Sequence, residues 1–336
     1  MKRKRLEQIV RNFSNVRIAV VGDLMLDVYI WGNASRISPE APVPVVQVKE
    51  KSSCLGGAAN VMRNVVTLGG NVSAYGVIGD DYDGREIQKL LKKYDIDPAT
   101  ISVTGDRRTT NKQRVIASAQ QLLRVDFEDT VELDEMIRQQ IVEKLLLLIE
   151  EKAVDAVIFE DYGKGVLSES MLQAIIDAAS SNGIITALDP KPGHLMQVSN
   201  LTVMKPNRSE AFAMTGMFQR KNGCPVEEDT ALHEVAERLL EGWKPKQLLI
   251  SLASQGMALF MENSDMVVIP TRAREVYDVS GAGDTVIAAY TLSIAAGATP
   301  EEAAEIANHA AGVVVGKVGT VTVSKEELID SFWRED

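Results

Sequence analysis

The sequence predicts an α/β protein, with a mostly parallel central sheet covered by helices on both faces and a small extra β-layer beside it. Three observations carry this. Short apolar runs alternate with helix-length stretches along most of the chain, the order that parallel strands joined by helical crossovers require. The runs are apolar at successive positions rather than at every second one, as in strands buried on both faces. The 336 residues, 45% hydrophobic and 25% charged, have the composition of a folded chain with ample sequence for a core.

The first run, RIAVVG at 17–22, is β-branched and ends in glycine. Similar runs at 72–78, 156–159, 184–188, 201–204 and 248–251 read as further strands. Between them, helical patterns cover 58–68, 84–93, 134–151, 169–181, 208–215 and 229–241, and two more follow at 282–296 and 300–315. Two regions break the rhythm. Residues 28–32 with 43–48, and 112–117 with 122–127, alternate apolar and polar side chains as half-exposed strands do. They read as a small β-sheet lid, spanning about 28–48 and 112–127, within a single domain over 1–336. Residues 219–228 read as a surface loop.

Composition also excludes. Lys plus Arg at 36 against Asp plus Glu at 47 gives a net charge of −11, which argues against a broad nucleic-acid-binding face or an anionic membrane surface. The longest aliphatic run, 145–149, is far short of the roughly 20 residues of a spanning helix. Basic residues 2–5 are followed by Glu7, Gln8, Arg11 and Asn12 rather than an apolar stretch, so no signal peptide is expected and the expected location is the cytoplasm. Cys54 and Cys224 stand alone, without the spacing of a disulfide framework or a zinc site.

The segment from Asp278 to Tyr290, DVSGAGDTVIAAY, carries most of the chemistry. Gly281, Ala282 and Gly283 leave the backbone bare where a helix begins, so its N–H groups and dipole can face a phosphate. Asp284 falls in the first turn, where a carboxylate suits a base that accepts a proton from an incoming hydroxyl during phosphoryl transfer. The same residues also describe an ordinary glycine-rich turn with an acidic first-turn residue. A dinucleotide fingerprint is excluded because Val286 stands where the third glycine belongs, and GxxxxGK[ST] is absent. Near the front, Gly56 and Gly57 precede a helix whose first turn holds Asn60, a donor and acceptor for a hydroxyl. Asp27, read as the end of the first strand, would point to the same place.

Together these segments resemble the ribokinase-like (PfkB) family of carbohydrate kinases over about Val16 to Leu328. The front signature is matched by Gly56-Gly57-Ala58-Ala59-Asn60 with Gly69, Gly79, Asp80 and Gly84, and the rear signature by Asp278 through Tyr290. Asn207-Arg-Ser-Glu210 matches the family's NxxE element, and 251–256 stands in the place of its nucleotide loop. A narrower resemblance is to the D-glycero-D-manno-heptose 7-phosphate kinases. It rests on Gly22-Asp-Leu-Met-Leu-Asp27, on 36–46 (RISPEAPVPVV), on 120–126 (QQLLRVD), on Asp161-Tyr-Gly-Lys-Gly165 and on 318–324 (VGTVTVS). Ser118 and Ala119 depart from that group, where bulkier polar or cationic residues are frequent. No HxGH element occurs, so the expectation is a stand-alone kinase without the adenylyltransferase often fused to it.

The resemblance implies an ATP-dependent phosphotransferase. Asp284 would be the base, with the Gly281, Ala282 and Gly283 amides on the phosphoryl oxygens. Asp27, Gly56, Gly57, Asn60 and Asp161 would hold the sugar. Asn207 and Glu210 would orient Mg²⁺, Glu210 through water, while Ser251 and Gly256 line the nucleotide and Asn308 sits near its base. A monovalent cation is a further implied cofactor. A sugar 7-phosphate needs cations for its distal end, for which Lys164 and Arg114 come first, then Arg124, Arg36 and Lys112. The implied partners are a sugar phosphate and ATP, with no nucleic acid and no membrane, and a homodimer through the exposed edges of the lid. Two other readings stand beside this one: a different sugar or sugar-phosphate kinase of the same fold, and a non-catalytic binding protein built on it.

Overall fold

A computed structural model describes residues 1–117, 120–219, 224–262, 264–273 and 276–333. In chain order the elements are α1 (Arg3–Asn12), β1 (Arg17–Gly22), β2 (Leu24–Ile37), β3 (Pro44–Gly57), α2 (Ala58–Thr67), β4 (Asn71–Tyr75) and β5 (Val77–Gly79). Then come α3 (Tyr82–Lys93), β6 (Ser102–Thr104), β7 (Thr110–Ala117), β8 (Gln120–Phe127), α4 (Glu135–Glu150), β9 (Ala156–Glu160), α5 (Glu169–Asn182), β10 (Ile185–Asp189) and β11 (Val203–Met204). The last third holds α6 (Arg208–Met214), α7 (Thr230–Trp243), β12 (Gln247–Ser251), β13 (Met257–Met261), β14 (Val267–Ile269), α8 (Ala282–Ala295), α9 (Pro300–Val315) and α10 (Lys325–Ser331).

Eight strands form the main sheet in the order β14-β13-β12-β11-β10-β9-β1-β4. All pairs from β12 to β4 are parallel, while β13 and β14 add an antiparallel edge. Successive side chains of one strand enter opposite cores: Ile18 and Val20 pack with α2, α8 and α9, whereas Ala19 and Val21 pack with α4, α5 and α7. The uninterrupted apolar runs have this cause, since both faces are covered and few positions admit a polar side chain, Thr186 in β10 and Glu160 at the end of β9 being buried exceptions. The antiparallel edge was not legible, because a short apolar run such as 257–261 carries no sign of strand direction. Helices α1 and α10 were likewise not anticipated. Of the loop expected at 219–228, residues 220–223 lie outside the described residues.

The expected strand 72–78 divides at Gly76. β4 stays in the main sheet, and β5 leaves it to pair with β6 in a two-stranded parallel ribbon. A Cβ on Gly76 would lie 2.8 Å from both the Gly22 carbonyl oxygen and Leu24 Cγ, so the chain turns where only glycine fits.

The two alternating regions form one four-stranded sheet, β3-β2-β7-β8, longer than the sequence pattern indicated. β2 begins at Leu24, immediately after the last residue of β1, so the chain passes from one sheet to the other through the single residue Asp23. Asp27 is therefore a residue of this second sheet and not the end of the first strand. β2 pairs antiparallel with β3 as far as Leu24 opposite Gly57, and parallel with β7 from Met25 opposite Thr110. The second sheet thus stands on the edge of the main sheet where its parallel strands end. Its outer parts expose Ile37, Val48, Leu123 and Phe127. Among the described residues no helix is long and apolar enough to cross a membrane.

Candidate active site

Open α/β sheets bind ligands outside the carboxyl ends of their strands. Here those ends carry Asp23 after β1, Glu160 and Asp161 at β9, Asp189 closing β10 and Lys205 after β11. The register sets Gly22 beside Glu160 and Glu160 beside Asp189. Above them opens a cavity of about 1300 Å³, lined among others by Glu160, Asp161, Lys205, Asn207, Glu210 and Asp284.

Asp284 occupies the first turn of α8 and is only 6% exposed. Both of its oxygens are held: Oδ2 accepts from Asn60 Nδ2 at 2.7 Å and Oδ1 from the Tyr162 hydroxyl at 2.8 Å. Burial pushes the carboxyl above its ordinary range, and these two donors pull against that. Gly281, at φ +76°, begins the helix, and a Cβ there would stand 2.7 Å from Asn60 Nδ2; glycine is what lets Asn60 reach the carboxylate. The Ala282 amide is already donated to the Val279 carbonyl, so of the three expected amides that of Ala282 is not left for an anion, while the first-turn amide of Asp284 joins those of Gly281 and Gly283.

A compact charge cluster lies beneath. Lys205 Nζ contacts Asp189 Oδ2 at 2.7 Å and sits 3.4 Å from where a Gly283 Cβ would be, so the glycine keeps the ammonium close to the helix start. Burial opposes the Lys205 charge, yet Asp189, Glu160 and Glu210 together raise its pKa. Burial likewise pushes Asp189 up to about 6. Glu160, 1% exposed, is driven well above the carboxylate range by burial and by the neighbouring Asp189 and Asp284 charges, and its Oε2 has no hydrogen-bond partner.

On the opposite wall, Asn207 and Glu210 bond reciprocally at the start of α6: Asn207 Oδ1 accepts the Glu210 amide and Glu210 Oε2 accepts the Asn207 amide. Ser251 ends β12 and bridges to Asn207, Gly256 takes φ +89° against the Ile269 carbonyl, and Asn308 Nδ2 donates to the Pro270 carbonyl at 2.7 Å. All five line the cavity.

The remaining expected residues are distributed differently. Asp27 is buried in β2 and paired with Arg114, whose Nη1 lies 2.6 Å away and whose guanidinium stacks on Tyr29. Gly56 faces Asp27, and a Cβ there would fall 2.7 Å from Oδ2. Gly57 precedes α2 at φ +56° and brings Asn60 to Asp284. Asp161 lines the cavity, but its carboxylate is engaged by His194 Nδ1 at 3.0 Å and the Gly163 amide at 2.8 Å. Lys164 pairs with Glu128, Lys112 with both Asp126 and Glu128, and Arg124, half exposed, with Asp126. Four of the cations expected to be open for a distal phosphate, Lys164, Arg114, Arg124 and Lys112, are thus in carboxylate pairs, because β2 brings Asp27 beside Arg114, and β8 and the residue after it bring Asp126 and Glu128 beside the others. Arg36 is exposed, and Ser118 and Ala119 lie outside the described residues.

The pfkB family carbohydrate kinase pattern matches residues 15–327, nearly the whole of the chain. The chain belongs to this family. It is a carbohydrate kinase, a phosphotransferase with an alcohol group as acceptor, on a ribokinase-like α/β fold. The bifunctional protein HldE of Sulfurimonas denitrificans is 41% identical over 321 residues, which cover 96% of this chain and 65% of that protein. That of Trichlorobacter lovleyi is 41% identical over 329 residues, covering 98% and 65%. The kinase therefore spans slightly under two thirds of the length of these relatives. In fold it is similar to Arabidopsis thaliana ribokinase, with a TM-score of 0.72 at 19% identity over 94% of this chain and 98% of that one. Phosphofructokinase-2 from Escherichia coli gives 0.76 at 19% identity over 95% and 98%.

Sequence reasoning missed Asp23, Glu160, Tyr162, Asp189 and Lys205. Reading the residue that follows each apolar run would have found most of them, because that residue stands at the carboxyl end of a parallel strand. The cluster has a measurable consequence. Replacing Lys205 with Met leaves Glu160 and Asp189 without their cation, and breaking such a pair costs about 3–5 kcal/mol. Above about 6 the wild-type Asp189 has already ionised, whereas in Lys205→Met, without the cation that lowers its pKa, the carboxyl keeps losing stability as pH rises further, so the cost is expected to be larger at about pH 7 than at about pH 5. Urea unfolding of the two proteins at both pH values checks this, and a cost that does not vary with pH would contradict it.

Proposed function

We propose that this kinase transfers the γ-phosphoryl group of ATP to the anomeric hydroxyl of D-glycero-β-D-manno-heptose 7-phosphate, giving the 1,7-bisphosphate in the synthesis of ADP-heptose for lipopolysaccharide. One observation carries the chemistry. Asp284 stands at a helix start between the cavity lined by Asn207, Glu210, Ser251, Gly256 and Asn308, and the Asn60 and Asp27 side chains beyond it. ATP bound in the cavity presents its γ-phosphorus to that helix start, where Lys205 and the amides of Gly283 and Asp284 balance charge on the phosphoryl oxygens. The acceptor hydroxyl gives its proton to Asp284 as its oxygen bonds to phosphorus and the bond to ADP breaks. The choice of sugar rests on the long segments that resemble the heptose 7-phosphate kinases.

Glu210 and Asn207 fit a hydrated Mg²⁺: oxygen donors on the cavity wall, with Glu210 already fixed by the reciprocal bonds at the start of α6. Mg²⁺ there would neutralise phosphate charge, and Glu210 would hold it through water. A monovalent cation belongs to the same reading, as do a cytoplasmic location and use of the second sheet as a lid. The apolar side chains that the lid exposes are the proposed homodimer surface. Sedimentation at micromolar protein is expected to give a dimer, and a monomer there would remove that part of the reading.

Replacing Asp284 with Asn is expected to keep the fold and ATP binding while lowering turnover at least about a hundredfold, the lower end for loss of a general base. Turnover near that of the wild type in the purified variant would overturn the assignment. For the sugar, Lys164 and Arg114 must exchange Glu128 and Asp27 for the distal phosphate, so kcat/KM for heptose 7-phosphate is expected to exceed that for free heptose by orders of magnitude. Lys164→Ala or Arg114→Ala should narrow the gap and leave the KM for ATP nearly unchanged. Equal use of both sugars by the wild type would leave a general carbohydrate kinase.

A further inference from the structure

The loop 161–166 carries Tyr162 to Asp284, and its backbone is wrapped around one buried carboxylate. Asp23, 1% exposed, accepts the Tyr162 amide at 2.8 Å and the Lys164 amide at 3.0 Å on Oδ2, and the Val166 amide at 3.4 Å on Oδ1. Gly163 at φ +66° and Gly165 at φ +83° let the chain turn tightly enough to present three N–H groups to one anion. The same residue holds the other arm of the site, because its carbonyl accepts the Ala58 amide at 3.1 Å, at the helix start that carries Asn60. Asp23 is thus the common anchor of both donors on Asp284.

We infer that Tyr162, aimed by Asp23, is a positioning residue of this kinase: its hydroxyl holds the Asp284 carboxylate ionised and turned toward the acceptor. A hydroxyl that donates to the ionised form favours that form, and loss of the donor favours the protonated one. The need for it is set by the surroundings. Asp284 meets Asn60 from α2, Tyr162 from the 161–166 loop and Lys205 from the end of β11, but also the carboxyl groups of Asp27 on β2, Glu160 on β9 and Asp189 on β10. Burial and the acids oppose the charge that a base requires; two neutral donors and one ammonium support it. The inference rests on Asp284 being the base.

The test is a ¹³C carboxyl titration of Asp284 in the full-length protein, its resonance assigned by its loss in Asp284→Asn. Tyr162→Phe keeps the ring and removes only the hydroxyl. It is expected to raise the Asp284 midpoint by about one unit, the scale of a lost hydrogen bond to a charged group. The acid limb of kcat/KM for D-glycero-D-manno-heptose 7-phosphate should move upward with it, while the KM for ATP stays. Asp23→Asn should shift the midpoint in the same direction, and the double variant no further than the larger single shift. An unchanged midpoint in folded Tyr162→Phe overturns the inference and leaves the kinase reading intact. A shifted midpoint combined with wild-type turnover in Asp284→Asn overturns the reading of Asp284 as the base, and the positioning role with it.

Discussion

The carboxylate of Asp284 is held between donors from two distant parts of the chain, and the rest of the architecture can be understood as what makes that possible. Asn60 arrives on α2 and Tyr162 on the loop after β9, while Asp284 itself comes from α8. Three segments meet within hydrogen-bond distance because β1 and β9 are neighbours in register and α2 packs against α8. Each glycine at the meeting point, Gly57 before α2 and Gly281 before α8, takes a positive φ that an L side chain rarely adopts. The local backbone preferences and the global packing ask for the same residues there.

The electrostatics of the site appear unfavourable until its ligands are counted. Glu160, Asp189, Glu210 and Asp284 gather around the Lys205 ammonium, in the place where the proposed reading puts phosphate groups. Repulsion of an anion is limited because burial disfavours the charged form of Glu160 and Lys205 offsets Asp189, while the start of α8 supplies partial positive charge without a side chain. A buried lysine paired to an acid is also less free to move than an exposed one, which fixes its ammonium near the helix start. The acids thereby hold a cation in place at the point where, in the proposed reading, the transfer develops negative charge.

Much of this was legible in the sequence, and the limits have physical causes. Parallel strands buried on both faces give uninterrupted apolar runs, so the central sheet could be read, and the bare backbone of Gly281 to Gly283 before Asp284 advertised a helix start suited to an anion. Asp27 was misplaced because β1 passes into β2 through one residue, and an apolar run does not announce a change of sheet. Tyr162 was unreadable for another reason. It lies 122 positions from Asp284, and a tyrosine after a strand has no local pattern that reveals where its hydroxyl will end. Gly76 was overlooked within an otherwise continuous apolar stretch, although a glycine inside such a run is a sign of close backbone approach.

The second sheet carries a different logic from the main one. Lys112, Lys164 and Arg124 surround Asp126 and Glu128, and Arg114 meets Asp27, so cations that could bind a phosphate are neutralised in advance. Open cations would bind any anion that approached, ATP included, and would repel one another across a small sheet. Paired with carboxylates, they yield only to a ligand that offers a better exchange, and a phosphate dianion positioned by its own sugar ring is such a ligand. In the proposed reading, discrimination then comes from the acids as much as from the bases, since Glu128 and Asp27 have to be displaced by something more strongly charged than a hydroxyl. A free sugar leaves those pairs intact and gains little from closure of the sheet, whereas a sugar phosphate rearranges them; in the proposed reading, that rearrangement is where binding of the distal phosphate is converted into placement of the anomeric hydroxyl beside Asp284.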